Sequence, residues 1–320
     1  MATEPAPPTS PALILDLIEA FRRSKTMFAA VQLGVFDGKR GGGAEFTRLL
    51  DACVALGLLE RTGDEYANTP AADTYLRTAS PESLGGYVRY SNRALYPLWG
   101  ALENAVSEGT HRWHEVFGFD GGSLFEHFFR DEATKRDFLL GMHGFGRLSS
   151  PAVVAAFDLS RFHRLIDLGG ATGHLAIAAK HLYPHLEVAV LDLGPAVEFG
   201  REISGDQVEW IAADFFADPL PPADLYSLGR ILHDWSEDKI GVLLRKIFDV
   251  LPAGGALLVA EKLLDPAHVP GHMQSLNMLV CTEGRERSAD EYAGLLRTAG
   301  FSRVESKRTG APLDATLASK

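Results

Sequence analysis

One histidine of this sequence lies in a setting that suits acid–base chemistry. His233 belongs to the segment RILHDW (230–235), which directly follows a β-type run at residues 225–228. An imidazole, with an ordinary pKa of about 6.5, can remove a proton from a phenol-like hydroxyl near neutral pH. Such a base needs a partner for its other ring nitrogen, and Glu261 or Glu286 can supply a carboxylate from the same rim. The competing interpretation is an ordinary loop histidine, one of 11 in the chain.

A glycine-rich turn joins the first predicted strand of the C-terminal half to its helix. It reads DLGGATG (167–173), and because glycine has no Cβ, Gly169 and Gly170 would let a ligand approach the backbone closely. The dinucleotide fingerprint requires glycine at position 168, where the chain has Leu168. Asp167 would also repel a diphosphate and attract a cation. The turn therefore disfavours a nicotinamide-dependent oxidoreductase.

Two further acids follow the next two predicted strands. Asp192 lies 19 positions after Gly173, where a carboxylate can accept both ribose hydroxyls. Asp214 and the adjacent Phe215 offer an acceptor oxygen and a ring face that suit adenine. Each acid alone could be a turn former or a helix cap, but their order and spacing favour a ligand. S-adenosylmethionine combines adenosine with the sulfonium and ammonium cations that Asp167 would attract, so the residues predict it as the cofactor.

The order of the predicted elements explains how these residues would meet. Helical periodicity dominates up to residue 157, and no stretch there alternates long enough to predict a sheet of its own. From residue 162 onward, short β-type runs alternate with helical ones. Such alternation predicts an α/β domain of Rossmann type, with a mostly parallel sheet covered on both faces. We place a helical domain at 1–92 and a ligand-binding domain at 93–320, with a helical lead-in at 93–157.

The individual elements can be placed along the chain. A short wing or turn and a helix start are predicted within 66–75, and Ser288 with Glu291 forms a capping-box pattern before a helix that ends at Gly300. Strands are predicted at 164–168, 187–191, 208–212, 225–228, 256–261, 303–307 and 314–318.

The composition limits the class of partner. The 320 residues carry a net charge of −11, which argues against a nucleic-acid or anionic-membrane partner because phosphate binding needs clustered Lys and Arg. Cys53 and Cys281 are interpreted as free thiols in a reducing cytosol, with one disulfide as the alternative. No Cys/His spacing of metal-site type occurs. The N-terminus (1–11) has no signal-peptide pattern and is interpreted as a frayed tail, so we predict a cytoplasmic protein.

Over nearly its whole length the chain resembles the small-molecule O-methyltransferases of the acetylserotonin and plant phenolic type. The resemblance implies a homodimer with a winged-helix-like N-terminal dimerisation domain and a catalytic domain that binds S-adenosylmethionine. The motifs that carry it are LGVFD (33–37), RLLD (48–51), LGLL (56–59), DLGG (167–170), DFFADPLP (214–221), RILHDW (230–235), SLNMLVCTEG (275–284), ER (286–287) and TGA (309–311) with Asp314 and Ala315.

The resemblance also implies roles for individual residues. It makes His233 the base, supported by Glu261 and Glu286. The cofactor-binding positions would be Asp192 at the ribose, Asp214 and Phe215 at the adenine, and Arg230 elsewhere in the cofactor pocket. On the substrate side, Asn277 would touch the acceptor, and an apolar pocket for a flat ring would be lined by Phe125, Phe129, Met142, Phe145, Met273 and Met278.

Three departures from the family pattern bear on the acceptor and on the first domain. The family carries a longer stretch between Asp37 and Arg48, including much of its winged-helix unit, whereas residues 38–47 join them here. Cys281 stands where acetylserotonin-type enzymes place a polar substrate contact, and Gly146 where they have a larger aromatic side chain. Both differences argue against acetylserotonin itself as the acceptor.

The sequence thus predicts an S-adenosylmethionine-dependent O-methyltransferase that acts on a hydroxyl of a small aromatic or heteroaromatic acceptor. The alternative is a cofactor-binding homologue that has lost or redirected methyl transfer. The residues leave open whether oxygen or nitrogen accepts the methyl group, and they do not identify the acceptor.

Overall fold

A computed structural model describes residues 10–119, 124–129 and 131–320. The interpretation of the N-terminus as a frayed tail falls mostly on residues 1–9, outside the described part. The chain divides into two units, Met1–Asn92 and Arg93–Lys320. Within the described ranges, no helix is both long enough and apolar enough to cross a membrane.

The first unit combines helices with a β-hairpin. Its core contains the buried side chains of Val35, Phe36, Leu50 and Cys53. The expectation that this half forms no sheet is wrong, because two four-residue strands pair antiparallel across a turn at Gly63. These strands are too short and too exposed to show a clear two-residue alternation. The elements are α1 (Ala12–Gln32), α2 (Ala44–Ala55), β1 (Leu59–Thr62), β2 (Glu65–Asn68), α3 (Pro70–Tyr75) and α4 (Gly85–Tyr90).

Helices lead into the sheet of the second unit. A π-helical turn spans Ser91–Leu95, and α9 begins where the Asp131 carboxylate accepts a hydrogen bond from the backbone N–H of Thr134 at 2.8 Å. Such a side-chain cap satisfies one of the free N–H groups at a helix start. The lead-in helices are α5 (Tyr96–Trp99), α6 (Leu102–Glu108), α7 (Trp113–Phe117), α8 (Leu124–Phe128) and α9 (Glu132–Ala155).

A seven-stranded sheet forms the centre of the second unit. The strand order is β10-β11-β7-β6-β3-β4-β5, with β11 antiparallel to both neighbours and the other pairs parallel. The predicted mostly parallel sheet is confirmed. The strands are β3 (Arg164–Leu168), β4 (Glu187–Asp192), β5 (Glu209–Ala212), β6 (Leu225–Gly229), β7 (Ala256–Glu261), β10 (Arg303–Lys307) and β11 (Asp314–Ser319).

Helices cover the sheet, and a short strand pair lies beside its edge. The parallel pair β8 (Leu263–Leu264) and β9 (Arg287–Ser288) was not expected from the sequence, since two residues show no period. The capping box of Ser288 and Glu291 is present as predicted. The covering helices are α10 (His174–Leu182), α11 (Gly194–Ser204), α12 (Glu237–Val250), α13 (Val269–Cys281) and α14 (Ala289–Ala299).

The strand order determines where a ligand can bind. The connection after the central strand β3 leads to β4 on one side, whereas the connection after its neighbour β6 leads to β7 on the other side. The crevice at such a reversal is where open α/β sheets bind their ligands. Leu165, Ile166 and Leu168 of β3 are fully buried, which holds this edge between two apolar layers.

Candidate active site

The glycine-rich turn after β3 folds tightly over its own strand. Gly169 has φ +68°, and a Cβ there would lie 2.4 Å from the Cδ1 atom of Ile231. A Cβ on Gly170 would lie 2.5 Å from a carboxylate oxygen of Asp167. Neither position can take a side chain, so the turn leaves backbone rather than side chains facing the crevice.

Asp167 lies beneath this turn rather than on its outer side. Its Oδ1 accepts a hydrogen bond from the Ser227 hydroxyl at 2.7 Å, while its buried Oδ2 has no hydrogen-bond partner among the described residues. Burial raises the pKa of Asp167 to about 7. A buried carboxylate oxygen without a donor fits a nearby cationic ligand, because a positive charge would favour the ionised form.

Asp192 links the end of β4 to the glycine-rich turn. One carboxylate oxygen accepts the N–H of Ala171 at 2.8 Å, and the other accepts the N–H of Leu193 at 2.7 Å. Burial outweighs these two bonds and raises the pKa of Asp192 to about 6. Each oxygen keeps a second lone pair, so the carboxylate can still accept ribose hydroxyls.

The segment after β5 brings an aromatic wall to the same turn. Phe215 is buried, and its ring lies 3.4 Å from the Cβ position of Gly169. Asp214 is partly buried, and its Oδ1 accepts the N–H of Phe216 at 2.7 Å. The Phe216 ring in turn meets Trp235 edge-to-face at 5.0 Å. This wall joins the glycine-rich turn to the loop that carries His233.

His233 is buried in a single 3-10 turn after β6, and two carboxylates meet one of its ring nitrogens. Its Nδ1 lies 2.7 Å from Oε1 of Glu286 and 3.2 Å from Oε2 of Glu261. Both acids predicted as partners therefore reach the imidazole. On the opposite side of the ring, Nε2 lies 3.6 Å from Oδ1 of Asp234. A proton on Nδ1 would satisfy the carboxylates and leave Nε2 free to accept a proton.

Glu261 also fixes the backbone of the histidine loop. Its Oε1 accepts the N–H groups of Ile231 at 3.0 Å and Leu232 at 2.9 Å. Burial raises the pKa of Glu261 to about 7, although the positive charge of His233 opposes this shift. The three groups His233, Glu261 and Glu286 approach within 4.8 Å of one another, a spacing a metal ion could also use. The ion pairs and backbone bonds explain this spacing without one.

The neighbouring carboxylates shift the pKa of His233. Burial alone would lower the pKa of His233, but the charges of Glu261, Glu286 and Asp234 outweigh it and raise the pKa to about 9. At neutral pH the imidazole without a ligand is therefore mostly protonated. A positive charge arriving nearby would lower this pKa and release Nε2 as a base.

Several supporting residues were missed by the sequence reasoning. Ser227 bonds Asp167, and Arg287 is buried with its guanidinium donating to the carbonyl of Leu232 at 3.3 Å. Gly284 approaches so closely that a Cβ there would lie 2.2 Å from the carbonyl oxygen of His233. The adjacency of Arg287 to Glu286 was the one available signal, because the other partners come from distant segments.

The α13 residues predicted to contact substrate lie close together and are buried. Asn277 accepts a hydrogen bond from the indole N–H of Trp99 at 2.8 Å, so Trp99 orients its amide. Met278 is buried beside it. The Cys281 thiol donates to the carbonyl of Asn277 at 2.8 Å, and burial raises its pKa. This thiol is therefore engaged with its own helix rather than free to bond a ligand.

The residues predicted to line the pocket differ in how directly they contact the loop that carries His233 (residues 230–235), called the base loop below. Phe145 on α9 lies under the Arg230 guanidinium, 4.6 Å from the ring centre, so both predicted residues meet. Phe129 packs at 6.0 Å from Phe125, which lies 5.9 Å from Trp235 of the base loop. Met142 is partly buried on α9, three residues before Phe145.

Comparison with known proteins agrees with this geometry. The family model of the O-methyltransferase domain matches residues 99–302. Acetylserotonin O-methyltransferase of Bos taurus is 39% identical over 338 residues, covering 97% of both chains. A probable bifunctional dTTP/UTP pyrophosphatase/methyltransferase protein of Homo sapiens is also 39% identical over 98% of this chain, which spans only 54% of that relative. The crystal structure of human N-acetylserotonin methyltransferase in complex with SAM superposes with a TM-score of 0.93 at 37% identity, over 99% of each chain.

The fold and the crevice define an α/β transferase domain of the methyltransferase type. The matches show, more narrowly, that the chain belongs to the O-methyltransferase family. It is an S-adenosylmethionine-dependent O-methyltransferase. The side-chain-free glycine turn and the unpaired Asp167 oxygen fit that cationic cofactor.

Proposed function

We propose that this enzyme methylates a hydroxyl of a small aromatic or heteroaromatic acceptor, with His233 as the general base. The observation that carries the proposal is the asymmetry of the imidazole. Its Nδ1 is held by Glu286 at 2.7 Å and by Glu261 at 3.2 Å. This arrangement sets the tautomer that leaves Nε2 as the acceptor of the hydroxyl proton.

The cofactor would be held along the carboxyl edge of β3, β4 and β5. Asp192 would bind the ribose, and Asp214 and Phe215 would bind the adenine. Arg230 would also contact the cofactor, which would lie over the backbone of Gly169 and Gly170. When bound, S-adenosylmethionine supplies an electrophilic methyl group for direct displacement at carbon. Asp167 adds negative charge beneath the turn, which favours a cation at close range.

The protein's remaining tasks are to align the acceptor and to take its proton. An apolar pocket of Phe129, Met142, Phe145 and Met278 suits a flat ring, and the amide of Asn277 can bond its polar group. Since a cation in the crevice lowers the pKa of His233 from about 9, the base becomes available when the donor is in place. The proton of the hydroxyl would then pass to Nε2 as charge develops on oxygen.

Replacing His233 tests this assignment. In His233→Ala we expect methyl transfer to phenolic acceptors to fall about 10³-fold, the size of a lost general base. Calorimetric affinity for S-adenosylmethionine should change little. His181→Ala, at an exposed position of α10, is the matched control and should keep full turnover. Unchanged turnover in His233→Ala would show that His233 is not the base. If the wild-type enzyme methylates amines and no phenols, the acceptor atom is nitrogen rather than oxygen.

We infer further that the unit 1–92 mediates homodimerisation. Apolar side chains at four-residue steps on α1 are more than half exposed, namely Leu13 at 67%, Leu17 at 61% and Phe21 at 54%. A continuous apolar stripe of this kind on a helix is normally covered by a partner. The acidic net charge of −11 argues against nucleic acid or an anionic membrane as that partner.

Placing charged side chains on the exposed apolar face of α1 tests whether this face forms the dimer interface. Leu17→Glu with Phe21→Glu should convert a dimer into a monomer in analytical ultracentrifugation. Val242→Glu, at an exposed apolar position on α12, is the control and should leave the dimer intact. A wild-type monomer at micromolar concentration would refute the proposal.

The two cysteines support a reducing compartment. Cys53 and Cys281 are both free and buried, so neither contributes a disulfide that an oxidising environment would favour. We therefore propose that the protein is cytoplasmic, which cell fractionation with an activity assay would check.

A further inference from the structure

Two cations share one aromatic ring beside the base. The guanidinium carbon of Arg230 lies 4.6 Å from the ring centre of Phe145, and the Nζ of Lys262 lies 5.4 Å from the same centre. Both side chains are partly buried. Neither one forms an ion pair with a carboxylate of the described residues, and the Nη1 atom of Arg230 is buried without a hydrogen-bond partner there.

Two other lysines that lie over rings in this protein are paired with a carboxylate. Lys239 lies over Trp235 and pairs with Glu283 at 2.7 Å, and Lys307 lies over Phe157 with Glu305 at 3.6 Å. A ring face attracts a cation but does not neutralise it. The pair at Phe145 differs from these two arrangements because neither of its cations has a carboxylate in direct contact, although Glu261, Glu286 and Asp234 act on it at longer range.

The backbone holds Arg230 in this position at a cost. Its φ is +59°, and within the described ranges Ala171 is the one other non-glycine residue with positive φ. Ala171 belongs to the glycine-rich turn, so both strained residues lie at the carboxyl edge of the sheet. Backbone strain of this kind persists where surrounding structure enforces it, and it concentrates at ligand sites.

The position of the pair relates it to the reacting groups. Arg230 precedes His233 by three residues, and Lys262 directly follows Glu261, which contacts the imidazole. Burial lowers the pKa of Lys262, and the charge of Arg230 lowers it further, while the charge of Glu286 opposes both. An anion between the two side chains would relieve this repulsion and raise the pKa of Lys262 again.

We propose that Arg230 and Lys262 form a carboxylate-binding subsite over Phe145, with Lys262 as a specificity-determining residue. The inference rests on the proposed function, because the carboxylate must belong to one of the two reactants. It can be the amino-acid carboxylate of the cofactor or an acidic group on the aromatic acceptor. A guanidinium supplies two parallel donors to a carboxylate, and an ammonium supplies a point charge from the other side.

Equilibrium binding to Lys262→Gln tests whether the carboxylate belongs to the amino-acid end of the cofactor. S-adenosylhomocysteine carries the carboxylate, whereas 5′-methylthioadenosine has the same nucleoside and sulfur without the amino-acid end. If the cofactor supplies the carboxylate, calorimetry should show about tenfold weaker binding of S-adenosylhomocysteine and unchanged binding of 5′-methylthioadenosine. Lys262→Arg, which keeps the charge, should restore most of the affinity.

Whether the carboxylate belongs to the aromatic acceptor is tested by acceptor binding in the presence of saturating S-adenosylhomocysteine. If the acceptor supplies the carboxylate, Lys262→Gln should weaken binding of a hydroxybenzoate about tenfold and leave its neutral methyl ester unchanged. Lys307→Gln, which removes a cation from another ring, is the matched control and should change neither ligand.

Both arms measure binding, so they decide the subsite even if methyl transfer is lost. The proposal is overturned if Lys262→Gln binds all four ligands within twofold of wild type. It is also overturned if the charged and neutral members of each pair weaken equally, because that would mark a structural role. Failure of the proposed function would instead appear as the absence of phenol methylation in the wild-type enzyme.

Discussion

The two ends of the active-site edge hold buried carboxylates in opposite ways. At the cofactor end, Asp167 and Asp192 are held by neutral donors, a serine hydroxyl and two backbone N–H groups. At the base end, Glu261 and Glu286 meet the imidazole of His233. Among the described residues, no cation is bonded to the acids of the first end, whereas the acids of the second end contact the imidazole of His233.

This difference matches the two tasks that the proposed function gives to this edge of the sheet, binding of the donor and removal of a proton. Burial raises the pKa of Asp167 to about 7 and that of Asp192 to about 6, so the cofactor end gains most when a cation arrives. At the base end the carboxylates overcome burial and raise the pKa of His233 to about 9, which keeps the base protonated. A cation bound at the first end lowers the pKa at the second. Under the proposed function, donor binding and activation of His233 as the base would therefore be coupled electrostatically.

Among the substitutions that test this comparison of the two ends, the largest expected effect comes from removing a carboxylate beside His233. In Glu286→Gln we expect methyl transfer at pH 7 to fall about 100-fold, because an amide N–H directed at Nδ1 would move the proton to Nε2. Activity needs the neutral imidazole and therefore rises with pH through the pKa of His233. Loss of one carboxylate lowers this pKa, so the rising limb of the kcat profile should shift to lower pH.

The control for this variant is Glu283→Gln. Glu283 precedes Glu286 by three residues and forms an exposed ion pair with Lys239, which the substitution breaks. It should leave both the rate and the pH profile unchanged. If the rising limb of Glu286→Gln stays where it is in the wild-type enzyme, the carboxylates do not control the base.

The sequence was most informative for candidate site residues that lie at or just after the end of a strand. Asp192, His233 and Glu261 could be predicted because each follows or ends a strand whose apolar run is visible, and parallel strands end at one edge. Glu286 could be placed because a capping box fixes the start of the next helix.

The remaining features could not be predicted because they depend on contacts between distant segments. Ser227 lies inside a buried strand, and Trp99 reaches Asn277 across 178 positions. Lys262 looked like any lysine after a strand until its ring partner on α9 was known. The hairpin β1–β2 was missed because four-residue strands give too little alternation to detect.

The wall of the cofactor end can be tested through a glycine of α9. Gly146 is buried, and a Cβ there would lie 2.3 Å from the ring of His174, which Ser150 holds by a hydrogen bond at 2.9 Å. We expect Gly146→Ala to lower the free energy of unfolding by about 2 kcal/mol, as overpacking does. In this chain the His174 ring fills the space that a larger residue at 146 would need.

Gly294 on α14 is the matched control, because it is also helical but faces open space. Gly294→Ala should raise the free energy of unfolding by about 0.5–1 kcal/mol, since alanine costs less backbone entropy in a helix. Urea titrations followed by circular dichroism would measure both variants. Equal stabilisation by the two substitutions would contradict the close contact at Gly146.

Apart from the control substitutions, the smallest effect is expected at Asp192. In Asp192→Asn the amide N–H₂ must face the N–H of Ala171 or of Leu193, so one hydrogen bond is lost together with the charge. We expect about tenfold weaker binding of S-adenosylmethionine by calorimetry, or about 1.4 kcal/mol. Because burial raises the pKa of Asp192 to about 6, wild-type affinity should fall as the pH drops through 6, whereas the variant should lack this step. Asp206→Asn, at an exposed loop position between β4 and β5, should keep both the affinity and the step. A variant that retains the pH step would assign that step to another group, and the cofactor end would then lose the carboxylate that most distinguishes it from the base end.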